Sequence, residues 1–225
     1  MKIGITVRSI RGYGLQVEAD GVDGPEPFTA DRVILALPPR LLLSNIELTP
    51  GPDETMRKVW GNTPSWMAGH QKQVFIYEEP FWRSQGLSGE AFSRIGPLSE
   101  MYDDSPEDEN FYALTAFVGL SAMQRQQLGQ DRLHEAGMAQ LQWLFVAASN
   151  DVKQVMASDR SRESLTTTGL DLDSMVHHAQ YPATMPRHLW NERLLAAGTE
   201  AARAQSGFLE GAIEAADEAI AFILA

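Results

Sequence analysis

Ala197-Gly198-Thr199-Glu200 and, a short loop later, Ser206-Gly207-Phe208-Leu209-Glu210-Gly211-Ala212-Ile213-Glu214-Ala215 form the stretch from which the rest of the chain is read. The apolar run before it, Leu194-Leu195-Ala196, meets Gly198 as a strand meets a turn. Ser206 stands where an N-cap is expected. Beyond it Leu209, Ile213, Ala216, Ile220 and Ile223 recur at helical spacing, which predicts a helix over 207–224 with one buried stripe. Gly207 and Gly211 lie one turn apart, where a missing side chain lets another group approach the backbone. A helix N-terminus directed at a ligand stabilises negative charge. On these residues alone, a tightly packed surface helix with small residues is the plainer alternative.

Working outward, the first forty residues read as a strand meander. Ile3, Ile5 and Val7 alternate with smaller residues, and Leu15-Gln16-Val17-Glu18 runs to the turn dipeptide Asp20-Gly21. Arg32-Val33-Ile34-Leu35-Ala36-Leu37 is an apolar run, as expected of a strand covered on both faces, and Pro38-Pro39 stops it. Pro52-Asp53-Glu54 opens a short helix. Strands are predicted over 71–77, 111–118 and 152–156, and helices over 121–128 and 131–148. Asp103 to Glu109 reads as a solvated acidic loop. The fold class expected is α/β (α+β) with a mixed sheet.

Composition narrows the function classes. A formal charge of −12 and a pI near 4.8 argue against nucleic acid, whose phosphates are bound mainly by Lys and Arg. An acidic surface mildly favours cationic ligands. No stretch approaches the roughly 20 apolar residues of a membrane span. The N-terminus does not read as a signal peptide. There is no cysteine, which removes thiolate chemistry and points to the cytosol. Gly12-Tyr13-Gly14 lacks a third glycine and lies between strands, so it reads as a turn and not a phosphate loop. His177-His178, adjacent in a loop without an acidic array, does not read as a metal site.

The Ala197–Ala215 stretch resembles the C-terminal signature of the flavin monoamine oxidase family, in which a strand ending in Ala-Gly-Thr-Glu precedes a Gly-aromatic-Leu/Met-Glu-Gly-Ala helix. Other segments are similar in the same order: Ala30–Pro39, Pro80-Phe81-Trp82-Arg83 with Gly86-Leu87-Ser88-Gly89, and His188–Leu194. The resemblance implies FAD as cofactor, with Val7, Gly198, Thr199, Glu200, Gly207, Phe208 and Leu209 around it. It implies three parts: FAD-domain strands over 1–48, a substrate domain over 49–184, and the final FAD-domain strand and helix over 185–225.

Lys72 falls where the family places a lysine that holds a water beside flavin N5. Independently, Lys72 shares a strand face with Val74 and Ile76, which predicts an apolar setting for its ammonium; a snorkelling surface lysine is the alternative. Phe208 matches one of two aromatic residues that wall the substrate, and the second falls at Leu170, leaving that side open. Where the family has a tryptophan near Glu163, this chain has Arg160. Gly169 replaces the cysteine that links flavin in some relatives, so FAD is expected to be non-covalent.

The implied activity is oxidation of an amine, with peroxide production, by a cytoplasmic enzyme. Since the dinucleotide-binding βαβ unit of the family is not among these residues, the chain is expected to be a truncated piece, or a subunit completed by a separate FAD-binding chain or by self-association. A desaturase or protoporphyrinogen-oxidase type of flavin enzyme, and a non-catalytic remnant, are the alternatives.

Overall fold

The computed structural model describes residues 1–12, 14–108, 110–145, 151–172 and 188–225. The chain divides into two compact units, Met1–Trp66 with His177–Ala225, and Met67–Val176.

The first unit opens with three antiparallel strands, β1 (Thr6–Arg11), β2 (Gln16–Gly21) and β3 (Gly24–Thr29). The meander begins later than Ile3, which is 81% exposed, because Gly4 takes a positive φ of 71° that interrupts extended backbone. β4 (Val33–Leu35) stops before Pro38-Pro39, and α1 (Pro39–Asn45) starts with proline in its first turn, where no amide hydrogen is needed. β5 (Glu47–Thr49) adds parallel to β1. α2 (Glu54–Asn62) is N-capped by Asp53, whose carboxylate accepts from the Met56 N–H at 2.7 Å.

The second unit is a five-stranded antiparallel sheet with helices. β6 (Gln71–Tyr77), the four-residue α3 (Phe81–Ser84), β7 (Ala91–Phe92), β8 (Leu98–Asp103) and β9 (Tyr112–Val118) precede α4 (Ala122–Leu128), α5 (Gln130–Leu144) and β10 (Val152–Asp159). Its sheet order is β10-β6-β9-β8-β7. Gln71, Gln73, Phe75 and Tyr77 form the buried face of β6, and Phe75, Tyr77, Leu98, Leu114, Leu133 and Leu141 share one core cluster. Gln140 of α5 ties helix to sheet: its Oε1 accepts from Leu98 N–H at 2.8 Å and its Nε2 donates to Leu98 C=O at 2.7 Å. Ser121 and Gln124 make the capping box that starts α4.

The acidic segment is not simply solvated. Asp103 accepts from Trp82 Nε1 at 2.8 Å and Arg83 Nε at 2.9 Å, and Asp104 accepts from Thr115 Oγ1 at 2.8 Å. Burial alone would raise the Asp103 carboxyl, but hydrogen bonds from Arg83, Ser105 and Trp82 outweigh it and hold it at about 2.

The chain then completes the first unit with β11 (His188–Leu189), β12 (Leu194–Ala196) and α6 (Leu209–Leu224). β12 pairs parallel to β4 and antiparallel to β11. The mixed α/β character is therefore present, with the parallel pairings in this unit. β4 lies at the edge of its sheet, and Ile34 is 44% exposed, so the apolar run there is not covered on both faces. Trp60, fully buried, sits in a cluster with Ile10, Leu15, Leu35, Leu42, Leu189 and Leu194.

α6 corrects two expectations. Ser206 is not its N-cap: the cap is Phe208, with no side-chain hydrogen bond, while Ser206 Oγ donates to Ala202 C=O. The buried stripe is Gly211, Ala215 and Ala219, whereas Leu209, Ile213 and Ile220 are 82%, 63% and 51% exposed. The helix is apolar on more than one side, and its small residues allow the closest approach to the neighbouring chain. Among the described residues no helix is long and apolar enough to cross a membrane.

Candidate functional site

In the first unit, six of the seven residues expected around a flavin gather at the approach to α6. Gly198 leads into a short 3-10 turn, Thr199–Ala201. A Cβ at Gly198 would lie 2.9 Å from Glu200 Oε2 and 3.1 Å from the Leu37 carbonyl, two residues past β4, so glycine keeps this approach without displacing its neighbours. The Thr199 hydroxyl accepts from Gly207 N–H at 2.9 Å and donates to Phe208 C=O at 2.7 Å. Gly207 adopts a positive φ of 87°. Gly211 packs so closely that a Cβ would fall 2.0 Å from the Gln205 carbonyl. From inside the helix, the Glu214 carboxylate accepts from Arg203 N–H at 2.7 Å and Ala204 N–H at 3.2 Å. The loop between β12 and α6 is thus fastened at both ends.

Glu200 points elsewhere than the tip. It is 3% exposed and lines a cavity of about 10 Å³ with Leu35, Leu37, Leu42, Trp60 and Gly198. That is room for about one water centre. Burial pushes the Glu200 carboxyl above its ordinary value. Trp60 Nε1, on the same cavity, has no protein hydrogen-bond partner. Val7 is separate again, half-buried in β1 and packed on the Trp60 cluster.

The tip of α6 presents apolar surface beside a helix N-terminus. Phe208 and Leu209 are 47% and 82% exposed beside it, offering apolar surface, and no side chain caps the helix. First-turn N–H groups lack intrahelical acceptors, so such an end attracts negative charge. Glu210, in that turn and exposed, tempers the attraction.

In the second unit, Lys72 lies on the sheet face away from α5. Its neighbours along β6, Val74 and Ile76, are half-buried, and Lys72 itself is exposed. The apolar setting expected for it is therefore one-sided: its Nζ stands 4.7 Å from the centroid of the Phe117 ring, a cation–π contact. Phe117 is the cross-strand partner of both Lys72 and Glu100. The His70 ring meets Phe117 edge-on at 6.3 Å; burial, then the Arg125 guanidinium, holds it below its ordinary value. Arg125, 1% exposed, anchors this end of β6 by donating to Gly69 C=O at 3.0 Å and to Asp159 Oδ1 at 2.7 Å.

Leu170, 65% exposed, sits in a 3-10 turn, Gly169–Asp171. Thr168 N–H and Oγ both donate to Asp171 Oδ2, at 2.9 and 2.7 Å. The adjacent Thr167 hydroxyl lies 3.0 Å from Ala68 C=O and 2.6 Å from Arg160 C=O. Sequence reasoning missed the contact of Phe117 with Lys72 and the Thr199 clamp. Phe117 was within reach, since it falls in a predicted strand, but its pairing with Lys72 was not. Among the described residues no cluster of His, Asp and Glu is arranged to hold a metal; His177 and His178 lie outside the described residues.

Residues 2–221 match the family described as flavin containing amine oxidoreductase, and the chain belongs to that family. Over 100 residues, 44% of this chain and 21% of the relative, it is 33% identical to a probable flavin-containing monoamine oxidase A of Dictyostelium discoideum. Among solved structures, a double mutant of putrescine oxidase superposes with a TM-score of 0.80 at 24% identity, covering 98% of this chain and 49% of that one. Cyclohexylamine oxidase from Brevibacterium oxydans gives 0.75 at 19% identity, covering 96% and 47%. The fold is therefore that of the amine oxidases, and the chain spans about half the length of these two structures.

Proposed function

We propose that this chain carries the substrate-facing part of an FAD-dependent amine oxidase acting in the cytosol, which converts an amine to an imine and, after hydrolysis, to an aldehyde and ammonia. The observation that carries the reading is the uncapped α6 tip, with Gly207 and Phe208 fastened to Thr199. Bound FAD would supply the redox chemistry, a two-electron oxidation of the amine at its α-carbon with oxygen as the final acceptor, reduced to hydrogen peroxide. The protein supplies the surroundings. Phe208 walls the amine, and the α6 tip stabilises negative charge on the ring. The Lys72 ammonium donates a hydrogen bond to a water beside the reacting atoms. Gly198, Thr199 and Leu209 line the ring side, Val7 serves the adenine end, and Leu170 leaves one side of the substrate slot open.

On the same reading FAD is held without a covalent link, there being no cysteine and Gly169 at the linking position. Its phosphates are held by a Gly-x-Gly-x-x-Gly segment outside these 225 residues, on the same or a separate chain. Leu209, Ile213, Ile220 and Leu224, all exposed, are the apolar surface on which that segment packs.

The test is anaerobic titration of the FAD-loaded protein with a panel of primary amines. Bleaching of the flavin absorbance, followed by peroxide on admission of air, is expected. A flavin that binds but is bleached by no amine would leave a different flavin oxidoreductase as the function.

A further inference from the structure

We propose that the cavity behind the Gly198-Thr199-Glu200 turn is a binding site for one water molecule, held by Trp60 Nε1, the Glu200 carboxyl and the Leu37 carbonyl, and that this water positions the turn carrying Thr199. All of these residues belong to the first unit. Trp60 is fully buried and Glu200 is 3% exposed, so neither side chain reaches bulk solvent. An indole N–H can only donate, and among the described residues Trp60 Nε1 has no partner. Left unanswered in the interior, such a donor carries its whole desolvation cost. Of the residues lining the cavity, only Trp60 and Glu200 have polar side chains. The two are not bonded to each other directly, so the acceptor for the indole comes from the space between them.

Gly198 makes the room. A side chain there would bring its Cβ 2.9 Å from Glu200 Oε2 and 3.1 Å from the Leu37 oxygen, so both oxygens border the place that glycine leaves open. The cavity, about 10 Å³, holds one water centre. A water there accepts from the Trp60 N–H and donates one hydrogen to each oxygen, about the three hydrogen bonds that a buried water makes. A cation does not suit the site, because the indole N–H presents its positive end. An apolar guest would leave the donor unanswered. Burial raises the Glu200 carboxyl, and a neutral ligand matches a group so raised. The consequence reaches the tip of α6. Thr199 and Glu200 share the 3-10 turn Thr199–Ala201, and the Thr199 hydroxyl accepts from Gly207 N–H at 2.9 Å. Fixing Glu200 from behind therefore fixes the hydroxyl that sets the start of the helix.

The experiment is NMR on the purified chain without flavin, the Trp60 indole proton being assigned by its loss in W60F. A cross-peak between that proton and a slowly exchanging water is expected in the wild type. It should persist in E200Q, whose amide oxygen still accepts. It should disappear in E200L and in G198A, where the added methyl takes the place of the water. The Gly207 amide should exchange roughly tenfold faster in E200L, the order of one lost hydrogen bond, and at the wild-type rate in E200Q. A wild-type indole proton without a water cross-peak overturns the proposal, and that spectrum decides the matter even if E200L or G198A fails to fold. A cross-peak that survives both E200L and G198A also overturns it, since the water would then lie elsewhere. Loss of the cross-peak in E200L with Gly207 exchange unchanged overturns the positioning role. These readouts need no flavin, so they stand apart from the bleaching test of the oxidase function.

Discussion

The Thr199 hydroxyl donates to the Phe208 carbonyl at 2.7 Å while accepting from the N–H of Gly207, so a single side chain sets the residue that begins α6. Replacing Thr199 by valine keeps the shape and removes both hydrogen bonds. A loss of about 2 kcal/mol is expected, read as a lower urea midpoint, with weaker FAD binding. T199S should recover most of both, because serine retains the hydroxyl.

Two glycines in helices should respond in opposite directions. At Gly211 an added methyl meets the Gln205 carbonyl at 2.0 Å, and backbone cannot yield cheaply. G211A is expected to destabilise by about 2 kcal/mol or more. At Gly61, inside α2, nothing lies within 4 Å of the new carbon. G61A should therefore stabilise by about 1 kcal/mol, the helix propensity difference. Thermal melts of the two variants decide the matter.

Arg125 and Asp159 form a nearly buried ion pair, with side chains 1% and 11% exposed. Removing one partner strands the other charge in a poorly solvated place. R125M is expected to cost about 3 to 5 kcal/mol and to loosen the Gly69 end of β6, three residues before Lys72. Hydrogen exchange of the β6 amides should report that loosening locally.

How far the sequence carried can be traced to particular residues. Gln71–Tyr77 was legible to its ends because a short β-branched and aromatic run, Val74-Phe75-Ile76-Tyr77, is bounded by turn residues; its alternating burial appears only in the structure. β3 was not, since Pro25 and Pro27 argue against a strand; they are tolerated at the sheet edge, where their missing N–H groups face no partner. β8 was hidden by an irregularity between Leu98 and Glu100 that breaks the alternation. In α6 periodicity marked apolar residues but could not rank its faces, and the smaller side chains won the inner position. Lys72 could be nominated from spacing. Its relation to Phe117 and Glu100 depends on cross-strand register, which no single strand encodes.

The two units should answer to pH with opposite signs. Asp103, in the second unit, has a folded value of about 2, below the ordinary carboxylate range. Its contribution is present above about pH 4 and is lost as pH falls through the folded value; with Arg83 partly exposed, about 1 kcal/mol is expected. Glu200, in the first unit, is raised by burial, so its contribution is full at low pH and lost as pH rises through its folded value. E200Q should therefore stabilise at neutral pH, and D103N should destabilise there. Urea midpoints at pH 2 and pH 7 for D103N, and at pH 4 and pH 7 for E200Q, check the signs.

The Glu214 carboxylate receives the main-chain N–H groups of Arg203 and Ala204, and Thr199 likewise engages main-chain atoms at the far end of the same loop. Fastening of this kind is indifferent to which side chains the loop carries but sensitive to how many residues it has. Evolution, or a protein engineer, is therefore free to rewrite residues 203–205 for a new rim chemistry, provided Ser206, whose hydroxyl is bonded to Ala202 C=O, and the count between the two anchors are kept; a single deletion there would unseat the helix tip where substitutions would not.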